Sequence, residues 1–99
     1  MWILKSPDLP DTEGFTFRLR PGVVKTIGRA VRSDFVVDAP LVSRFHCRLT
    51  VSADGALEVE DLASTNGTFV NDTRVERIPL QAGDRLRVGR VEFAVEWAG

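Results

Sequence analysis

The sequence predicts an all-β fold, a sandwich of two packed, antiparallel-rich sheets, on three observations. Apolar residues recur at every second position through most of the chain, as in strands with one face in a core and one in water. Pairs of turn-forming residues interrupt these runs at short intervals. No window carries an apolar stripe at helical spacing. Together these features give about ten or eleven short strands.

Taken in order, the first run lies in Met1-Trp2-Ile3-Leu4-Lys5, ahead of Pro7. Phe15, Phe17 and Leu19 then alternate with Thr16, Arg18 and Arg20, and Pro21-Gly22 turns the chain into a strand at Val23–Ile27. Cys47, Leu49 and Val51 alternate with His46, Arg48 and Thr50; Leu57 and Val59 alternate with Glu58 and Glu60. Asp54-Gly55 between them reads as a tight hairpin, since both residue types tolerate positive φ. Thr68–Val70 is a short strand before the turn pair Asn71-Asp72, and Gly83-Asp84 marks another turn. The last strand sets Val91, Phe93, Val95 and Trp97 against Glu92, Ala94 and Glu96. Trp2 and Trp97 near the two ends of the sequence predict that the first and last strands lie side by side, with adjacent termini.

Composition narrows the function classes. The 99 residues, 43% hydrophobic and 27% charged, suit one globular domain over 1–99. No apolar run approaches the roughly 20 residues that span a bilayer, and the N-terminus lacks the long apolar stretch of a secretory signal. The single cysteine excludes an internal disulfide. A cytoplasmic chain, or the cytosolic part of a longer one, is expected, monomeric as an isolated domain and without a membrane partner. The formal net charge of −1 argues against a nucleic-acid partner, which needs a basic excess. Yet the 13 basic residues are nearly all arginine, the side chain suited to bidentate recognition of phosphate. On composition alone Arg-rich codon usage is the better explanation, so position has to decide.

Three clusters put polar residues where the strand pattern breaks: Gly28-Arg29, Ser43-Arg44 and Ser64-Thr65-Asn66-Gly67. Loops of a sandwich gather at its two ends and commonly carry recognition. If these three share one end, they unite two guanidinium groups, several hydroxyls and a carboxamide. A set rich in donors and poor in acids suits a phosphate dianion with its three acceptor oxygens.

Gly28-Arg29, Ser43-x-x-His46 and Ser64-x-Asn66-Gly67, in this order and spacing, resemble the signature of the forkhead-associated (FHA) domain. The resemblance runs from about Val23 to Trp97 and includes Leu80-x-x-Gly83-Asp84-x-Leu86-x-x-Gly89. It implies an eleven-stranded β-sandwich of the FHA/SMAD-like kind and a module that binds phosphothreonine in partner proteins, not an enzyme. No cofactor is implied. It further implies that Arg29, Ser43, Arg44 and Thr65 contact phosphate and that Asn66 holds the peptide backbone. Gly28, His46, Ser64 and Gly67 would support the loops. A preference for threonine would follow from enclosing its methyl group, worth roughly 0.8 kcal/mol on burial. Each position has an ordinary explanation beside the functional one: a surface arginine for Arg29 and Arg44, a self-bonded turn serine for Ser43, a plain hairpin turn for Asn66-Gly67.

His46 is the only histidine. A catalytic dyad with Cys47 is geometrically poor, because neighbours on a strand face opposite ways. Cys47 shares the parity of Leu49 and Val51 and is expected in the core. One Cys and one His cannot complete a structural zinc site. The resemblance makes His46 a strut for the serine loop.

A rival from another class is a phosphate-independent assembly domain using a sheet face or edge. Exposed apolar residues on one sheet would favour it, with Phe35, Phe45 and Phe69 the positions to inspect. An enzyme is a third reading and lacks a base–nucleophile pair. Leu41 and Val42 before Ser43 suggest apolar selection around the phosphosite. Where the family often has Asn-Gly, this chain has Asn71-Asp72, which should still make a tight turn.

Overall fold

Alternating burial is what makes these runs strands, and the alternation closes two sheets over one core. A computed structural model of the protein describes residues 1–7 and 13–99. Among them are eleven strands: β1 (Trp2–Lys5), β2 (Thr16–Leu19), β3 (Val24–Gly28), β4 (Phe35–Val36), β5 (Cys47–Val51), β6 (Leu57–Asp61), β7 (Thr68–Val70), β8 (Thr73–Val75), β9 (Arg77–Leu80), β10 (Arg85–Val88) and β11 (Val91–Trp97). No helix among the described residues is long and apolar enough to cross a membrane.

One sheet has six strands in the order β2-β1-β11-β10-β7-β8; the other has five, β4-β3-β5-β6-β9. All pairs are antiparallel except β3 with β4. The inward residues of both sheets, among them Leu4, Ile27, Leu49, Val59, Leu86 and Phe93, form a single buried core. Cys47 is buried within it, as its parity requires. Phe17 of β2 stacks on Phe35 of β4 with ring centroids 4.2 Å apart, closing one side of the sandwich across the two sheets.

The first and last strands do pair, with Trp2 opposite Trp97. Their rings meet edge to face at 5.0 Å, and Trp2 Nε1 donates to Gly55 O at 2.7 Å. This contact clips the β5–β6 hairpin of the other sheet to the chain ends. Asn71 and Asp72 both adopt positive φ, 50° and 67°, which is the geometry of a type I′ hairpin turn without any glycine.

Register also decides where the loops go. Ile27 pairs with Cys47, and Cys47 with Asp61, so β3 ends where β5 begins and β6 ends. The segments 29–34, 37–46 and 62–67 therefore meet at one end of the sandwich, opposite the Trp2–Trp97 pair.

Candidate functional site

Every candidate site residue lies at this end, and the three loops are tied to one another by named bonds. Arg29 N donates to Ser43 O at 2.9 Å and Ala30 N to Arg44 O at 3.0 Å, zipping the first loop to the second. Ser43 Oγ accepts from Thr65 N at 3.0 Å, joining the second loop to the third. That bond uses a lone pair of the hydroxyl and leaves its O–H free to donate. Asn66 Nδ2 donates to Leu41 O at 3.1 Å, a second tie between the same loops. Ser43 is therefore not a turn serine bonded to its own backbone, and Asn66-Gly67 is not a hairpin turn: it leads from β6 in one sheet to β7 in the other.

Gly28 is required by close approach. A Cβ there would lie 2.1 Å from Arg44 O and 2.6 Å from Ser33 Oγ, distances no side chain tolerates. Gly67 is required by conformation, with φ of 90°, and by the Arg74 guanidinium, whose Nε would lie 2.9 Å from its Cβ.

His46 is fully buried (0% exposed). Its Nδ1 accepts from Ser43 N at 3.0 Å, and its Nε2 faces Gly67 O at 2.8 Å. A carbonyl only accepts and an amide N–H only donates, which assigns the neutral Nε2–H tautomer. With both ring nitrogens committed to backbone, His46 has none left to act as a base. Burial also pushes the Cys47 thiol pKa up, so it stays protonated and unreactive.

Sequence reasoning missed several residues that hold the loops. Asp61, at the end of β6, accepts from Ser64 Oγ and Thr68 Oγ1 through Oδ1 and from Ser64 N through Oδ2. Ser64 Oγ in turn accepts from Gly67 N at 3.0 Å. Partial burial works against the Asp61 carboxylate. The hydrogen bonds from Ser64 and Thr68 outweigh it and hold its pKa below the ordinary value. An Asp ending a strand three residues before a Ser was the available signal. Ser33, buried in the first loop, donates from Oγ to Arg44 O at 3.1 Å. Asp34 accepts from Thr26 N at 2.8 Å, the main reason its pKa is lowered, and thereby fastens the same loop to β3.

Two expectations need correction. Val42 is 3% exposed, part of the core, and cannot select a ligand; Leu41 beside it is 45% exposed, at a positive φ of 70°. Of the three phenylalanines, Phe35 packs against the core on Phe17, and Phe69 is half-buried beneath Arg87. Only Phe45 is openly exposed, at 44%, and it lies in a loop. The outer face of the five-stranded sheet is instead charged, with ion pairs Arg48–Glu60 and Arg77–Glu58. Val24, 55% exposed, lies on the same face.

Arg29, Arg44, Thr65 and Asn66 are exposed, and neither arginine has an ion-pair partner among the described residues. A sandwich that presents unpaired arginines and hydroxyls on three cross-tied end loops is built as a phosphate-recognition module. The chain belongs to the FHA domain family, whose profile matches residues 25–89. It is 43% identical over 78 residues, 79% of its length, to the ABC transporter ATP-binding/permease protein Rv1747 of Mycobacterium tuberculosis, covering 9% of that protein. A crystal structure of the FhaA FHA domain complexed with the intracellular domain of Rv3910 superposes with a TM-score of 0.84 at 33% identity, covering 97% of this chain and 100% of that one. A second solved chain, from a structural and functional analysis of phosphothreonine-dependent FHA domain interactions, also gives 0.84, at 32% identity over 100% of this chain and 99% of that one. The curated relatives it matches are longer: the chain spans 9% of Rv1747 and 45% of the oxoglutarate dehydrogenase inhibitor of Corynebacterium glutamicum.

Proposed function

We propose that this chain is a phosphothreonine-binding module that recruits phosphorylated partner proteins in kinase signalling. Arg29, Ser43, Arg44 and Thr65 bind the phosphate and Asn66 holds the peptide backbone. Gly28, His46, Ser64 and Gly67 keep the loops in place. The observation that carries this reading is the direct bonding of Arg29 N to Ser43 O and of Ser43 Oγ to Thr65 N. Three donor-bearing residues from separate loops are thus fixed side by side before any ligand arrives, which lowers the ordering cost of binding.

The module works by affinity rather than catalysis, as a monomer over 1–99, and on the cytosolic side, where the free Cys47 thiol stays reduced. Charge-assisted bonds supply most of the affinity. Binding therefore weakens with salt.

Isothermal titration with one peptide in phosphothreonine, phosphoserine and unmodified threonine forms tests the reading. The expected order is phosphothreonine first and no measurable binding of the unmodified peptide. Arg29→Ala should cost about 2–4 kcal/mol of binding, as for truncating one side of a charged hydrogen-bonded pair, while leaving the thermal midpoint in place. Equal affinity for the modified and unmodified peptides would sink it.

A further inference from the structure

The outer face of the six-stranded sheet carries a row that the phosphate site does not use. Arg74 of β8, Phe69 of β7 and Arg87 of β10 are direct cross-strand partners, so their side chains leave the same face. The flanking residues of β7 and β10, Thr68, Val70, Leu86 and Val88, are buried, which fixes that face as the outer one. Arg87 Cζ sits 4.1 Å from the centroid of the Phe69 ring. Such stacking holds a guanidinium flat and leaves its edge donors available. On the other side of Phe69, Arg74 packs on Gly67, the last residue of the third loop. The row is therefore continuous with the phosphate-binding end.

Charge distribution says what the row awaits. Glu92 stands opposite Arg87 across β10 and β11, but its nearest cation is Arg85, Oε1 to Nη1 at 3.9 Å. Arg85 also takes Asp72, at 3.4 Å. Among the described residues neither Arg74 nor Arg87 has a carboxylate within ion-pair distance. The opposite sheet differs: there Arg48 and Arg77 are both neutralised by glutamates of their own fold. A row of uncompensated arginines braced by an aromatic ring, adjoining the loop that would hold the peptide backbone, fits a chain bearing carboxylates.

We propose that the Arg74–Phe69–Arg87 row is an extension of the phosphopeptide site that takes acidic side chains of the same partner segment. This rests on the phosphothreonine reading above. Arg74 adjoins Gly67 and Arg87 lies beyond Phe69, so along an extended peptide the carboxylates nearer the phosphothreonine reach Arg74 and later ones reach Arg87.

The test compares two phosphothreonine peptides of equal length, one with a run of glutamates starting three residues from the phosphosite and one with serines there, with the run placed in turn on either side. Fluorescence anisotropy at low salt should show the acidic peptide binding about three- to tenfold tighter on one of the two sides, the gain expected of two exposed ion pairs. The gain should shrink in Arg87→Gln and disappear in high salt and in Arg74→Gln/Arg87→Gln. The serine peptide should bind Arg87→Gln as it binds the unaltered protein. Equal binding of the two peptides on both sides, or a gain that survives the double substitution, overturns the acidic extension while leaving the phosphate site standing. Failure of every phosphopeptide to bind overturns both.

Discussion

The two ends of this sandwich are built by different chemistry. At the loop end, side chains bond to backbones far away in sequence: Ser43 to Thr65, His46 to Gly67, Asn66 to Leu41. At the other end the turns are short and bond partly within themselves, although Asn71 Oδ1 also accepts from Arg85 N and Gly22 N donates to Val51 O. Ser52 N donates to Ala56 O across Asp54-Gly55, and Gln81 N to Asp84 Oδ2 across Gly83-Asp84. What reaches from one sheet to the other there is the Trp2 indole N–H, donating to Gly55 O, with Trp2 packed edge to face on Trp97, its partner in the same sheet. Directional polar ties fix positions more tightly than apolar contact does, because each requires a particular distance and angle. The end that must present donors in a set geometry ties three loops together with them; the far end uses fewer, at Trp2 and Asn71, beside its packed indole rings.

This contrast predicts that substitutions at the two ends separate stability from binding. The largest effect should come from His46→Ala, which removes a buried ring and strands Ser43 N–H and Gly67 O without partners. A loss of about 3–5 kcal/mol in urea unfolding is expected, together with loss of phosphopeptide binding even where the variant remains folded. Gly28→Ala comes next. Its Cβ has to displace the Arg44 carbonyl, so a cost of about 1–3 kcal/mol is expected, with affinity falling because Ser43 and Arg44 shift with it. Trp97→Ala, at the far end, should cost about 1–2 kcal/mol through lost aromatic packing and burial. Titration of a phosphothreonine peptide should then give an unchanged dissociation constant at temperatures where the variant is folded. A binding defect in Trp97→Ala would erase the distinction between the ends.

The smallest effect is one of pH. Asp61 has its pKa lowered on folding, so its contribution is present above its unfolded value and is lost as pH falls through the lower folded value. Stability should therefore decline below about pH 4, and the third loop should loosen with it. Asp61→Asn should be less stable at neutral pH and show a shallower acid decline. An acid limb identical in the two proteins would mean that Asp61 does not bind Ser64 and Thr68 as a carboxylate.

Much of this architecture was legible in the sequence, and the exceptions share a cause. Strands of four or more residues announced their inward faces by alternation, which is why Leu49, Val59 and Phe93 were readable as core. Alternation says nothing in a loop or a two-residue strand. Val42 was misread as a ligand contact because Leu41-Val42 is too short to show parity, and Phe35 was an open question for the same reason. The loop motifs picked out candidate residues that meet at one end, but not what holds them. Asp61 and Ser33 act through contacts set by how loops cross in space. The Arg74–Phe69–Arg87 row exists only through the register of three strands, which no single stretch of sequence contains.

The pairing of β1 with β11 has a mechanical side. Trp2 lies opposite Trp97 and Ala98 N donates to Met1 O, so the chain enters and leaves at one point. Tension applied between the two ends acts perpendicular to the antiparallel ladder and opens its rungs one after another, starting at the indole pair, instead of shearing them together. The domain would thus yield first along this seam under load. The β3–β5–β6 strands that carry the loops lie in the other sheet, off the line of force.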